Sequence, residues 1–217
     1  MFKDTSVIIC CAGMGTRLGI GTTKALISIN NKPLILHQLE QMNEIDDVRV
    51  VVGYQAEKVI ETVNSYRKDV MFVFNYEYKT TGTLESVSRA MRTAREYTIV
   101  LGGDMFLHPK DFHDFIRVRG ECIAFSRLRS SEPVFINMNK EKKVISFSGK
   151  EGLAEWSGLV KYKTKNFSKN YNYVYEMLES RLPMNAREIR SIDIDTPEDY
   201  EKAVIWATNG FSDKMLT

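Results

Sequence analysis

Residues 6–11 (SVIICC) form an apolar, partly β-branched run that breaks directly into Ala12-Gly13-Met14-Gly15-Thr16-Arg17-Leu18-Gly19. A short apolar run of this kind reads as a buried strand. Glycines directly after it let the backbone adopt positive φ and come close to a ligand. Successive free N–H groups in such a turn cradle phosphate oxygens. Arg17 adds a guanidinium that can grip two oxygens at once, and Lys24 follows closely. Two familiar loops are excluded. From Gly13, the second glycine of a G-x-x-x-x-G-K-[ST] loop falls one place late and no lysine follows it. The dinucleotide fingerprint needs glycine where Leu18 stands, and Gly53-Tyr54-Gln55 occupies the place of its ribose-binding acid.

The rest of the chain alternates strand-like and helix-like stretches. Residues 33–43 carry apolar side chains at Leu34, Leu36, Leu39 and Met42, and Pro33 suits a first helical turn. The spacing predicts strands over 48–52, 70–74, 98–101 and 121–125, with helices over 56–66, 83–94 and 109–117 between them. Alternation at this length implies a mostly parallel sheet covered on both faces. From about residue 126 the pattern changes. Residues 134–138 and 143–147 flank a polar turn and read as a hairpin. Residues 159–162 and 189–194 read as strands, 171–182 and 197–208 as helices, and 211–217 as a fraying end. With no repeat or linker, the second half is expected to extend the first sheet.

Composition narrows the function. The 217 residues are 43% hydrophobic and 27% charged, as expected for one globular domain. Thirty basic against twenty-eight acidic residues leave a net charge of +2, which argues against a nucleic-acid partner. No apolar run approaches the roughly 18 residues of a membrane helix, so no membrane partner is expected. Met1-Phe2-Lys3-Asp4 lacks a signal-peptide layout, and a cytoplasmic protein is the expectation. Cys10, Cys11 and Cys122 have no metal-site spacing and read as core residues in a reducing compartment. Cys10 and Cys11 should point to opposite faces of their strand. His37, His108 and His113 are scattered and receive no catalytic role.

Taken together, Gly13-Met14-Gly15-Thr16-Arg17-Leu18, Lys24-Ala25-Leu26-Ile27 and Asn31-Lys32-Pro33-Leu34-Ile35 resemble the opening of the nucleotidyltransferase superfamily. The family pattern reads G-x-G-(T/S)-R-(L/M), a spacer, P-K-x-L, then G-(K/R)-P-(L/M)-(I/L). Two positions depart from it: Thr23 replaces the proline before Lys24, and Asn31 replaces the glycine before Lys32-Pro33. Val51-Val52-Gly53-Tyr54, Thr81-Gly82-Thr83, Gly102-Gly103-Asp104 and Ile194-Asp195-Thr196-Pro197-Glu198-Asp199-Tyr200 resemble later family motifs in the same order, so the likeness runs from about residue 6 to 207. The short spacer, residues 19–23, is closest to the phosphocholine-type cytidylyltransferases.

The resemblance implies a three-layer, Rossmann-like α/β nucleotidyltransferase fold with a mostly parallel mixed sheet. It implies a single domain over 1–217, with about 126–190 forming the acceptor-binding extension. The implied reaction moves a nucleoside monophosphate, CMP from CTP, onto a small phosphorylated alcohol such as phosphocholine, or a phosphonate, with release of pyrophosphate. The runner-up is a sugar-1-phosphate nucleotidyltransferase using UTP, GTP or dTTP. Two anions must approach each other, so charge neutralisation and in-line positioning dominate. Arg17 and Lys24 would be catalytic, gripping the triphosphate and its α-phosphate. Ala12, Gly13, Gly15, Thr16, Gly53, Gly82 and Thr83 would bind the nucleotide.

Mg²⁺ would be the cofactor, since it takes one or two carboxylates plus substrate phosphates. Asp104 ends a central strand and reads as a metal ligand or as a cap before Pro109. Asp193 and Asp195 point to one face of a strand and either could supply the second carboxylate, the family motif aligning with Asp195. Asp193, Glu198 and Asp199 otherwise read as ion-pair or first-turn residues. Lys150 resembles a basic position near the acceptor phosphate and reads equally as a hairpin lysine beside Lys142 and Lys143. Trp156 leads a set with Tyr76, Tyr78, Tyr171, Tyr173 and Tyr175 from which an aromatic box for choline could be built. The oligomeric state is left open, a homodimer among the options.

Overall fold

The first strand, β1 (Thr5–Cys11), sends alternate side chains into two separate apolar clusters. Val7, Ile9 and Cys11 enter one, and Ile8 enters the other with Cys10 packed against it. A strand buried on both faces needs partners on each side, and the rest of the chain supplies them. The computed structural model describes residues 2–19, 21–127 and 133–212, apart from the Arg17 side chain.

The remaining strands are β2 (Ser28–Ile29), β3 (Lys32–Pro33), β4 (Val48–Val52), β5 (Val70–Phe74), β6 (Tyr97–Gly102), β7 (Met105–Leu107), β8 (Cys122–Ser126), β9 (Phe135–Met138), β10 (Lys143–Ser148), β11 (Ala154–Lys163), β12 (Met184–Glu188) and β13 (Ser191–Asp193). The helices are α1 (Leu34–Glu40), α2 (Ala56–Tyr66), α3 (Thr83–Ala90), α4 (Pro109–Ile116), α5 (Val174–Glu179) and α6 (Pro197–Thr208). Among the described residues nine strands form one sheet in the order β5-β4-β1-β6-β11-β8-β12-β10-β9. Only β10 and β11 run against the other strands, so the sheet is mixed and mostly parallel. Helices α1, α2 and α4 cover the face of Val7 and Ile9, while α3 and α5 cover the face of Ile8, giving the expected three layers. A third cluster around Trp206 of α6 joins Leu18, Ile29, Leu34, Phe106 and Ile194.

The helices α2 and α6 and the strands β4 and β5 lie where the periodicity puts them. Other expectations need correction. Pro33 does not open the first turn of α1: its φ of −54° and ψ of 140° are extended, and it sits in β3 just before the helix. Helix α3 ends at Ala90 rather than 94, and α5 covers only Val174–Glu179 of the expected 171–182. Strand β11 begins at Ala154, five residues before the expected start, because Glu155, Ser157 and Gly158 interrupt the apolar pattern around an irregularity in its pairing with β8. Of the expected strand over 189–194 only Ser191–Asp193 pairs, as β13, and the strand before it, β12, was not expected. Phe211 does not fray: its ring packs 5.0 Å from Trp206 and 5.5 Å from Phe106. The rest of that expectation, residues 213–217, lies outside the described residues.

One buried ion pair ties the sheet to its helices. Arg49 of β4 is 2% exposed and makes two bonds to Asp47. It also donates to the carbonyls of Ala90, Arg92 and Thr93 at the end of α3. Burial works against ionisation of Asp47, but hydrogen bonds from Arg49 and Ser6 and the charges of Arg49 and Arg95 outweigh it. The carboxyl is held below its ordinary value of 3.8. Asp111 is held down in the same way by Arg190 and His108. A depressed native value contributes stability that is present above the unfolded value and lost as pH falls through the native one. The melting temperature is therefore expected to fall as pH drops below about 4, and Asp47→Asn should flatten that fall while starting lower. A variant with an unchanged acid limb in a melting series over pH would contradict this reading.

Candidate active site

The carboxyl edge of a parallel sheet is where strand ends, loops and helix amino ends converge. Here β1 and β6 are adjacent and parallel, so the loops leaving Cys11 and Gly102 rise side by side. After Cys11 the chain takes a left-handed turn at Gly15 (φ +63°) into a short 3-10 turn, Thr16–Leu18. A Cβ at Gly15 would stand 2.9 Å from Lys24 Cγ, in a backbone conformation that L side chains rarely take. This turn therefore requires glycine. Gly53 serves a different purpose: a Cβ there would stand 2.8 Å from Ala12 O, whose oxygen accepts the Tyr54 N–H at 3.0 Å. Ala12 and Gly53 thus brace the loop from beneath.

Lys24 opens a second 3-10 turn, Lys24–Leu26, and its Nζ reaches back across the loop. It donates to Asp104 Oδ2 at 3.0 Å and to Asp195 Oδ1 in a short bond. Asp195 is carried there by the antiparallel pair β7 and β13, with Ile194 N–H donating to Asp104 O at 3.1 Å. Asp199 then accepts the N–H groups of Asp195 and Thr196, while Thr196 caps α6. Asp199 is thus the first-turn residue expected. Lys24 is only 13% exposed, and burial alone would lower its pKa. The Asp104 charge and the bonds to Asp195 and Asp104 outweigh burial and raise it above the ordinary lysine value. The group is a fixed cation between two carboxylates.

A cavity of about 250 Å³ opens over this cluster. Gly13, Gly15, Thr16, Lys24 and Asp104 line it together with Cys10, Cys11, Thr23, Ala25 and Gly103. Burial and the Asp104 charge push the Cys10 thiol up to about 12, so the floor is neutral sulfur rather than a nucleophile. Asp193 was expected on the same face as Asp195, as an alternative ligand or an ion-pair or first-turn residue. It is instead half-buried, with its Oδ1 shut away from solvent and without a hydrogen-bond partner among the described residues. Burial first, then the Asp104, Asp195 and Glu155 charges, push it well above the carboxylate range. Among the described residues no three His, Cys, Asp or Glu side chains assemble a ready-made metal cage.

The other expected site residues are dispersed. The Arg17 backbone lies in the first 3-10 turn, and the role expected of its guanidinium lies outside the described residues. Gly82 and Thr83 start α3, with Gly82 pressed near Asn172 O, and they do not line the cavity. Lys150 is exposed in the turn after β10, where its N–H donates to Ser148 Oγ at 3.1 Å. Its side chain is not part of the Lys24 cluster. Trp156 does gather aromatics: it meets Phe147 and Tyr175 edge-on at 5.8 and 6.1 Å, and Tyr173 stacks on Tyr175 at 5.6 Å. Tyr76 instead stacks on Phe74, and Tyr78 lies against Tyr54. His37 bonds Ile29 O beside Phe106, away from the cavity. No helix among the described residues is long and apolar enough to cross a membrane.

Comparisons with known proteins bear on the family and the fold. The chain is 30% identical over 191 residues to the bifunctional protein GlmU of Methanococcus maripaludis (strain C5), covering 86% of this chain and 45% of that one. It spans about half the length of the curated relatives it matches. The fold superposes with a TM-score of 0.79 on the CTP:phosphocholine cytidylyltransferase LicC of Streptococcus pneumoniae, 23% identical, over 94% of this chain and 99% of that one. A TM-score of 0.67 relates it to HddC of Yersinia pseudotuberculosis, 21% identical, over 92% of this chain and 98% of that one. Residues 7–163 match the model of the MobA-like NTP transferase domain, and the chain belongs to that family.

Proposed function

We propose that this protein transfers CMP from CTP to a small phosphorylated alcohol of the phosphocholine kind, or to a related phosphonate, releasing pyrophosphate. The observation that carries the reading is the buried Lys24 cation held by Asp104 and Asp195 under the Gly13–Thr16 turn. An acceptor phosphate oxygen attacks the α-phosphorus, and the bond from that phosphorus to the pyrophosphate oxygen breaks. Both partners are anions, so the protein's task is to neutralise and align them. The N–H groups of the Gly13–Thr16 turn cradle the triphosphate. Lys24 brings positive charge to the α-phosphate, where negative charge builds up in the transition state. Arg17 is proposed to grip the outer phosphates.

The donor set fits Mg²⁺. Asp104 and Asp195 converge on one cation and offer hard oxygens, and Mg²⁺ takes few protein carboxylates when phosphates complete its shell. These two residues would hold it, and bound Mg²⁺ would supply charge neutralisation on the triphosphate. Trp156, Tyr173 and Tyr175 support a quaternary ammonium group on the acceptor, which aromatic faces attract. Gly82, Thr83 and Lys150 are retained as proposed contacts for the nucleotide and acceptor, within an acceptor side formed by about 126–190.

Product analysis tests the choice of substrates. CTP with phosphocholine should give kcat/KM at least about tenfold above any pairing of UTP, GTP or dTTP with a sugar-1-phosphate, a difference of about 1.4 kcal/mol. Turnover with a sugar-1-phosphate and none with CTP would replace this reading by a sugar nucleotidyltransferase.

A further inference from the structure

Thr23 stands where the family pattern that the chain resembles has proline, directly before Lys24. Its backbone keeps the conformation that proline would impose: φ is −66° and ψ is 142°. A threonine has no ring to fix φ, so something else must hold it. The neighbour that does so is Gln55. Its Oε1 accepts the Thr23 N–H at 3.2 Å and the Thr22 hydroxyl at 2.8 Å, and its Nε2 donates to Gly21 O at 3.3 Å. One amide group therefore holds three consecutive residues. The amide cannot be reversed, since the Thr23 N–H only donates and Gly21 O only accepts.

Gln55 is itself firmly placed. It occupies the left-handed region (φ +53°, ψ 36°) at the cap of α2, unusual for a residue other than glycine or asparagine. Val59 N–H donates to its carbonyl, and the preceding Tyr54 N–H is bonded to Ala12 O. The Gln55 side chain thus projects from a braced turn onto the segment that delivers Lys24. Proline cannot accept this arrangement, because it has no N–H for Gln55 to receive.

We propose that Gln55 is a positioning residue for Lys24, holding by hydrogen bonds the backbone conformation that a proline ring would fix covalently. The proposal rests on the nucleotidyl-transfer reading above only for its effect on turnover. In Gln55→Ala the 21–23 segment loses the three bonds from Gln55 and keeps that of the Tyr54 hydroxyl to Gly21 O, and the backbone that delivers Lys24 to Asp104 and Asp195 is loosened. Displacement of a catalytic group by about 1 Å costs up to about 100-fold in rate. We expect kcat to fall between about 10- and 100-fold, with KM for the triphosphate and the melting temperature nearly unchanged. In the Gln55→Ala background Thr23 N–H has no Gln55 partner to lose. Adding Thr23→Pro there should restore kcat to within about threefold of wild type by closing the same φ covalently.

Amide hydrogen exchange of the peptide covering 18–26 provides a readout independent of turnover. Gln55→Ala should speed its exchange about tenfold or more, and the double variant should slow it again. Exchange that does not change in Gln55→Ala, or a double variant no better than the single one in both exchange and kcat, would overturn the proposal. An inactive wild-type protein would count against the transfer reading, while the exchange experiment would still decide on the lock.

Discussion

Replacing Lys24 with alanine should lower turnover by about 10²–10³-fold while the protein stays folded. The magnitude corresponds to about 3–4 kcal/mol, the usual loss when one preorganised charge or donor is removed from a site where charge develops. Burial leaves Lys24 little water, and Asp104 and Asp195 fix its direction, so a mobile cation from solvent cannot substitute for it. Most of the loss should appear in kcat, since the cation matters most when charge builds on the α-phosphate. Lys24→Arg should recover little of it: the planar guanidinium does not fit between two carboxylates arranged around a compact ammonium. Stopped assays of pyrophosphate release beside a thermal melt decide this. A Lys24→Ala protein with more than a third of wild-type kcat and an unchanged melt would remove Lys24 from the mechanism.

The second large effect is structural. Arg49→Met should destabilise the fold by about 3–5 kcal/mol, because it removes a buried cation that ties three carbonyls to the sheet and leaves the half-buried Asp47 without its main partner. It also strips the carbonyls of Ala90, Arg92 and Thr93 of their donor. For a chain of this size the melting temperature should drop by between about 6 and 20 °C. The loss should shrink in the Asp47→Asn/Arg49→Met double variant, where the uncompensated charge is gone. A melting temperature within about 2 °C of wild type for Arg49→Met would show that Ser6 and Arg95 suffice to hold Asp47.

The sequence made the centre of this fold legible for physical reasons. The strand β1, its glycine turn, Lys24 and Asp104 lie at strand ends and turns, where local chemistry restricts the backbone strongly. Helix α6 was legible because Thr196, Pro197 and Asp199 form a start signal that needs no tertiary partner. Asp195 was placed by that same motif. Residues defined by distant partners were hidden. β12 (MNARE) has only Met184 and Ala186 as apolar residues, and its strand character comes from parallel pairing with β8. Asp193 reads as one more acid in a polar motif until β7 closes over it. Gln55 could not be weighed without seeing the Gly21–Thr23 segment it holds, although the missing proline at Thr23 was a visible clue. Lys150 rests on resemblance, and Trp156 on the aromatic residues scattered through the chain. Only Trp156 gathers a group of side chains around it.

The loop from β1 and the Lys24–Asp104–Asp195 cluster are proposed to form a nucleotidyl-transfer site. Pyrophosphate release tests this most directly, measured for wild type and Lys24→Ala with Mg²⁺, each of the four triphosphates and a panel of phosphorylated acceptors. Acceptor-dependent pyrophosphate is expected from the wild-type protein, greatest with CTP and phosphocholine, and almost none from Lys24→Ala. No pyrophosphate from wild type with any pairing would contradict it.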